Sequence, residues 1–571
     1  MNTQLNYKTD ASDWSAPAGP HSSSLRFAIC ALVAFAVALA LRLIWIFHWP
    51  LSIESEGVYY ARIAENLLAG RGYVGAREAG KQLLYPPLYP WLIAAATAIV
   101  KNSELAGRIV SAICGSLWVI PLMFITRSVF DEASGVIAGI IGVLAPPLIG
   151  ISGTVQSEPA YLVFQAAGVF FALQLWPDLP KRAPYLAGIC FGIAYLARPE
   201  ASIYVVVGVL FIFLTSANRG LRLKTAARLI IAFGLTILPY VTWLSIQTGN
   251  PRLEAKSVSN YVEATGWAAH LPPGQIFFAV DPQLNEIGLS NQSDLAMMQK
   301  TKLSTSKVFW LAMHGASVNV KRFLTTALES RLFGGSLFVL LLGIGFISPV
   351  PGKDALAKRA FLCAGACLSI VPLFSLHDFH DRFVFPFLTL LLPFTACGVM
   401  YVYRSMNAIF GAWSPDTPKH RWISGGLAAS AAALLLIGYL GTQAHTMLHL
   451  DTDVRLPEQD ITLQRGDVFI KNVGQTIRSF KSDRALVMDG TPAIGFYAGA
   501  ADWPLPYRDS DTAVRYIEKK KPDFIVLQSS KEDVFPYVKD WIEKGIPDKQ
   551  AQLVYQATAP NGEIAQVYRL R

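Results

Sequence analysis

Long apolar stretches with few or no charges, separated by short clusters of lysine and arginine, make up most of this chain. Stretches such as 27–47 reach the roughly 20 residues a helix needs to cross a bilayer core. Backbone polar groups in that core must be satisfied within the segment itself, so such a chain folds as a bundle of membrane-spanning helices. A membrane β-barrel would alternate apolar and polar residues, whereas these runs are continuous. Composition points the same way. Of 571 residues, 53% are hydrophobic and 16% charged, against about 25% charged in soluble proteins.

The apolar pattern predicts about eleven spans, at 27–47, 106–126, 133–151, 158–176, 184–198, 200–217, 226–246, 328–348, 360–376, 383–403 and 422–442. The fifth is short and is read as tilted or re-entrant. With a cytoplasmic N-terminus, the inside loops hold Arg127, then Lys181 and Arg182, then Arg219, Arg222, Lys224 and Arg228. Lys353, Lys358 and Arg359 follow, then Arg404, Lys419 and Arg421. Every inside loop is basic, as the positive-inside rule requires. The same placement explains the net charge of +9 and excludes nucleic acid as a partner. Pro86 to Val100 is apolar over only about 15 residues, too few for a span. Counting it as one would turn every later basic cluster outward. It is read instead as a juxtamembrane helix started by Pro86 and Pro87.

This register gives a disordered cytoplasmic tail at 1–26, a transmembrane domain at 27–444 with outer loops at 48–105 and 247–327, and an outer domain at 445–571. Phe27–Phe47 is too long for a cleaved signal core and reads as a retained first span. In the last part, 485–489 and 524–528 read as buried strands, 511–521 as a helix between them, and 552–556 and 564–570 as final strands. That pattern predicts a soluble α/β domain. The six cysteines all lie in apolar segments without metal-ligand spacing to histidine, so they read as small core residues. No internal repeat of the transporter kind is visible.

The unusual polar residues fall at span ends, all on the outer side. Glu54 and Glu56 follow the first span, Glu158 opens another, Arg198 and Glu200 join two, and His377-Asp378-Phe379-His380-Asp381-Arg382 precedes the tenth. Acids and bases from distant segments gathered at one membrane face suggest one active site. Each also has a plainer reading. Glu54 and Glu56 suit a helix entrance, where the macrodipole favours carboxylates. Glu158 suits a helix start, Arg198 and Glu200 suit each other, and Lys81, Arg62 and Arg382 suit interfacial cations whose stems snorkel. His377-x-x-His380 with flanking aspartates raises a zinc site. It lacks a clear third ligand, so loop structure or substrate binding is the stronger reading for His380 and Asp381.

The order of motifs resembles bacterial GT-C-fold glycosyltransferases, the group that includes protein O-mannosyltransferases and lipid A aminoarabinose transferases. The resemblance rests on Glu56-Gly-Val-Tyr-Tyr-Ala61, Leu67-Leu-Ala-Gly-Arg-Gly-Tyr73, Pro86-Pro-Leu-Tyr-Pro90, Ser157-Glu-Pro159, Tyr195-Leu-Ala-Arg-Pro-Glu200 and Arg382-Phe-Val-Phe-Pro386. It runs from about residue 27 to 400, and an outer C-terminal α/β domain recurs in the group. It implies transfer of a sugar from a polyprenyl-phosphate carrier to an acceptor on the outer face of the bacterial cytoplasmic membrane. Where the group carries Asp-Glu in the first outer loop, this chain has Ser55-Glu56, so the aspartate is missing and Glu54 is the candidate second carboxylate.

The chemistry says what such residues would do. A phosphate leaving group is already a stable anion, whereas an acceptor hydroxyl is a poor nucleophile until its proton is taken. Glu56 is the first candidate for that general base and Glu54 the second. Direct displacement by the hydroxyl inverts the anomeric carbon. Lys81, Arg62 and Arg382 are candidates to hold the phosphate. Glu158, Tyr59, Tyr85, His380 and Asp381 are candidates for substrate binding. This chemistry requires no cofactor and no metal. The acceptor is a lipid, a glycan or a protein. Two other readings stay open: a polyprenyl-lipid transporter or flippase, and a scaffold of envelope polysaccharide assembly that has lost catalysis.

Overall fold

A computed structural model describes residues 22–48, 52–53, 56–77, 80–175, 181–215, 219–328, 335–350, 352–374, 381–412, 418–449, 468–481 and 485–570. Most of the described chain is helical. Among the described residues, five helices are long and apolar enough to cross a membrane: Ser24–His48, Ser103–Val129, Gly220–Thr248, Arg382–Ala412 and Trp422–Ala444. The pair Glu132–Leu144 and Pro146–Ser152, bent by 55°, passes the same test together as a broken span or a re-entrant loop; two adjacent prolines at the bend cannot continue the hydrogen-bond ladder. The remaining expected spans also fall on helices, several of them shorter: Glu158–Leu173, Ala183–Tyr195, Ser202–Thr215, Gly335–Ile347 and Lys353–Phe374. The segment read as juxtamembrane is the helix Leu88–Val100, and the acidic segment before it forms the helix Glu56–Leu68. Two features depart from expectation: the first helix begins at Ser22, inside the segment 1–26 read as a disordered tail, and a further helix lies in the second outer loop. Thr305–Leu328 occupies the end of what reads as the second outer loop.

Close helix contact rests on small residues. A side chain at Gly345 would meet the Phe394 carbonyl at 2.0 Å, and one at Gly398 would meet the Leu341 carbonyl at 2.0 Å. The two glycines let Gly335–Ile347 and Phe385–Ala412 approach backbone to backbone.

The C-terminal part is a five-stranded mixed sheet of β1 (Leu486–Asp489), β2 (Ala501–Pro504), β3 (Phe524–Gln528), β4 (Ala551–Thr558) and β5 (Ile564–Leu570). The strand order is β2-β1-β3-β5-β4. β1 pairs in parallel with β2 and β3, and β5 pairs antiparallel with β3 and β4. The four strands and the helix expected from sequence are present. β2 was not foreseen: Ala-Asp-Trp-Pro is four residues long with no period to read.

Only one face of the sheet is covered mainly by the C-terminal part itself. Val487, Phe524, Val526 and Val567 on one face pack into the same buried cluster as Val58, Tyr60, Ala61 and Ile93 of the first outer loop. Met488, Ile525 and Leu527 on the other face pack with Tyr516, Trp541 and with Val280 of the second loop. Polar contacts follow the seam. The Ile53 amide donates to the Tyr497 hydroxyl at 2.7 Å, and Lys471 pairs with Glu104 at 3.0 Å. Arg62 donates to the carbonyls of Gly495 (3.3 Å) and Ala500 (3.1 Å) and pairs with Glu65 at 2.8 Å.

At the same seam lie two buried carboxyls, Asp489 at the end of β1 and Asp502 on β2. Arg77 faces them, its Nε 3.8 Å from Asp502 Oδ2, and the charge of Arg62 also reaches Asp502. Burial raises both carboxyls, and for Asp489 the neighbouring Asp502 adds to the rise, so the folded pair binds a proton more tightly than the unfolded chain does. The folded chain thus holds a proton that the unfolded chain has released. The pair's contribution to stability is present at acid pH and is lost as pH rises. Two outcomes follow. Asp489→Asn, neutral at every pH, should flatten the fall of Tm with rising pH in thermal denaturation of the purified protein. Gly398→Val should lower Tm at all pH values, since overpacking costs about 1–3 kcal/mol.

Candidate active site

The turn that shapes the first loop is set by glycine. Gly70 and Gly72 have φ of 72° and 81°, a conformation side chains disfavour, and they end the helix Glu56–Leu68. The returning chain pairs Val74 with Lys81. The Tyr73 hydroxyl donates to the Tyr85 carbonyl at 2.8 Å, and the Leu88 amide donates to the Leu196 carbonyl at 2.9 Å. The loop is thereby stitched to the segment that carries Arg198.

A cavity of about 430 Å³ opens where these loops meet. Its wall includes Glu56, Tyr59, Lys81 and Tyr85 from the first loop, Arg198 and Glu200, Lys256 and Asp294 from the second loop, and Arg382. Six charges alternate along one side. Lys256 meets Glu56 at 2.9 Å, and Glu56 meets Arg382 at 3.1 Å. Arg382 meets Glu158 at 3.7 Å, Glu158 meets Arg198 at 2.7 Å, and Arg198 meets Glu200 at 3.4 Å. Arg382 also donates to Gln156 Oε1 at 2.6 Å, and both arginines stack on Phe383 at 5.1 and 5.2 Å from its centroid. Burial alone would raise the Glu56 carboxyl, but Arg382, Lys256 and Arg198 outweigh it and hold Glu56 well below the usual carboxylate range. Cations pinned by carboxylates at a cavity wall are a ready site for an anion, which can replace the carboxylate as partner.

Asp294 sits apart from this row. Its Oδ2 accepts from the Gln82 side chain (2.7 Å) and from the amides of Leu83 (2.7 Å) and Leu84 (3.2 Å). Burial outweighs those bonds and pushes its carboxyl up to about 6. Tyr59 and Tyr85 stack at 5.6 Å between centroids, and Lys256 Nζ lies 6.0 Å from the Tyr85 ring centre.

Of the residues singled out from sequence, Glu56, Tyr59, Tyr85, Lys81 and Arg382 line the cavity, with Lys81 Nζ donating to Gln247 at 2.6 Å. Glu158 stands behind the wall and ties Arg382 to Arg198. Arg62, expected at the phosphate, does not line the cavity. It is buried at the seam with the C-terminal sheet, where carbonyls and Glu65 use its donors. Glu54 and His380 lie outside the described residues, as does the side chain of Asp381. Among the described residues, no group of three or more His, Cys, Asp or Glu is placed to hold a metal ion. Sequence reading missed Lys256, Gln156 and Asp294. Lys256 and Asp294 come from the second loop, where no motif or spacing marks them.

The dolichyl-phosphate-mannose-protein mannosyltransferase family matches residues 85–243. No curated protein sequence matches the chain. Solved structures are similar over nearly its whole length. The oligosaccharyltransferase of Archaeoglobus fulgidus, tethered to an acceptor peptide, is 15% identical with a TM-score of 0.59, over 95% of this chain and 74% of that one. ArnT from Cupriavidus metallidurans, bound to undecaprenyl phosphate, is 13% identical with a TM-score of 0.53, over 96% and 98%. The mycobacterial arabinofuranosyltransferase AftD is 11% identical with a TM-score of 0.51, over 95% and 40%. The chain is a polytopic α-helical membrane protein with the GT-C fold and a C-terminal α/β region.

Proposed function

We propose that this protein transfers a sugar, a hexose or a pentose, from a polyprenyl-phosphate donor to an acceptor hydroxyl at the outer face of the bacterial cytoplasmic membrane. The observation that carries the reading is the row Lys256–Glu56–Arg382–Glu158–Arg198–Glu200 at the wall of a cavity where the loops meet. The donor phosphate takes Arg382 and Lys256 as its partners, with Lys81 nearby. In doing so it draws away the cations that hold Glu56 so acidic, and the basicity of Glu56 rises once the donor is bound. Glu56 then accepts the proton of the acceptor hydroxyl. The acceptor oxygen bonds to the anomeric carbon from the face opposite the phosphate. The carbon–oxygen bond to phosphate breaks, and its electron pair leaves on the polyprenyl phosphate, whose charge the arginine and lysine stabilise. The configuration at the anomeric carbon inverts. The likeness to structures that hold undecaprenyl phosphate and an acceptor peptide supports a lipid-linked donor meeting its acceptor on this fold. The acceptor here is a lipid, a glycan or a protein.

The test is consumption of a panel of labelled polyprenyl-phosphate sugars by the purified protein with an envelope extract as acceptor source. One donor should turn over, and Glu56→Gln should lower that rate by about 10²–10⁴-fold. A folded wild-type protein that consumes none of the donors would overturn the reading, and an unimpaired Glu56→Gln would overturn the base. A second outcome concerns Arg382. Arg382→Lys keeps the charge between Glu56 and Glu158 but loses the planar fork, so donor KM should rise about tenfold with the fold intact. Arg382→Gln leaves Glu56 to Lys256 alone and Glu158 to Arg198 alone, and should cost about 1.5–3 kcal/mol of stability, read as a lower Tm.

A further inference from the structure

The cavity has two sides of different chemistry. One carries the cations that suit a phosphate. The other carries two stacked tyrosines and a carboxylate, Asp294, that makes no close ion pair among the described residues, although the charge of Arg77, also in the lining, reaches it. Glu56 and Glu200 each sit in an ion pair, whereas no lysine or arginine among the described residues lies within ion-pair distance of Asp294. The three hydrogen bonds to Asp294 all fall on Oδ2. Oδ1 accepts none among the described residues, and the side chain lines the cavity. One oxygen therefore fixes the carboxylate and the other is left to accept from whatever fills the space.

Distances set what that is. Lys256 Nζ lies 6.0 Å from the Tyr85 ring centre, and the Tyr85 ring is 5.6 Å from that of Tyr59. Asp294 holds the amide of Leu84, the residue next to Tyr85. A phosphate on Lys256 and Arg382 thus places the group esterified to it beside Tyr85 and Tyr59, within the ambit of Asp294. Flat ring faces beside a free carboxylate oxygen suit a sugar, which offers C–H faces and hydroxyl donors together.

We infer that Asp294 is the specificity-determining residue for the donor's sugar, accepting hydrogen bonds from ring hydroxyls while Tyr59 and Tyr85 carry the ring. This rests on the glycosyl-transfer reading above. A buried carboxylate whose bond is not made is costly, so a sugar lacking the matching hydroxyl is rejected rather than merely bound less well.

The test uses the full-length protein in nanodiscs. It compares the polyprenyl-phosphate sugar that the wild type consumes with free undecaprenyl phosphate, which has the same lipid and phosphate but no sugar. Asp294→Asn keeps an acceptor oxygen for the Leu83 and Leu84 amides. It should raise donor KM about tenfold or more with kcat within about threefold, while the Kd for undecaprenyl phosphate stays within about twofold. Its discrimination between epimeric and deoxy donors should weaken. Asp294→Glu keeps the charge but displaces it, and should shift KM the same way. It carries the test if Asp294→Asn does not fold. Equal losses for sugar donor and free lipid phosphate would show a loop tether and overturn the assignment, as would an unchanged KM and preference. A wild-type protein that consumes no donor overturns the underlying reading instead, so the two failures are told apart.

Discussion

Buried charge is the constraint on which the site depends. Taking an ion out of water costs several kcal/mol, and a neighbour of opposite sign offsets it only at close range. Lys256, Glu56, Arg382, Glu158, Arg198 and Glu200 meet that demand by alternation, each acid lying against at least one base and each base against at least one acid. The partners come from the first loop, the second loop, the starts of two apolar segments and the junction of two others. Losing Glu56 strands Lys256 and losing Arg198 strands Glu200, while the other members share their partners. The row therefore fixes the ends of distant helices relative to one another, and in the same act presents cations to the cavity.

Catalysis of the proposed kind uses the row as a store of interactions to be exchanged. The resting carboxylate–guanidinium contacts are the ones a phosphate can take over, and the exchange changes the proton affinity of Glu56 without moving the backbone. Asp294 is arranged on the opposite logic. Its hydrogen bonds come from neutral donors and all fall on one oxygen, which leaves the other to accept from hydroxyls.

Much of this was legible in the sequence, and the remainder was not for identifiable reasons. Helices and their membrane register follow from apolar run length and loop basicity, signals that need no tertiary information. Glu56, Arg198 and Arg382 stand out because a charge beside an apolar run is conspicuous. Lys256 and Asp294 do not, because the second loop scatters many polar and charged residues and a useful charge there looks like any other. Arg62 was misplaced for the converse reason. Near Glu56 in sequence, it points to the seam, where the carbonyls of Gly495 and Ala500 are about 430 residues away along the chain. The parallel β1–β2 pair escaped notice because four residues carry no period.

Composition would cut the chain near residue 445, between hydrophobic bundle and polar tail. The shared cluster of Val58, Tyr60 and Ile93 with Val487, Phe524 and Val526 draws the line elsewhere. One face of the sheet is finished by a segment encoded some 400 residues earlier, so the heritable module is discontinuous. A tail exchanged between related chains would arrive with an apolar face shaped for a loop it left behind. Recombination can succeed here only if both pieces travel together, and the loop that travels is the one bearing Glu56.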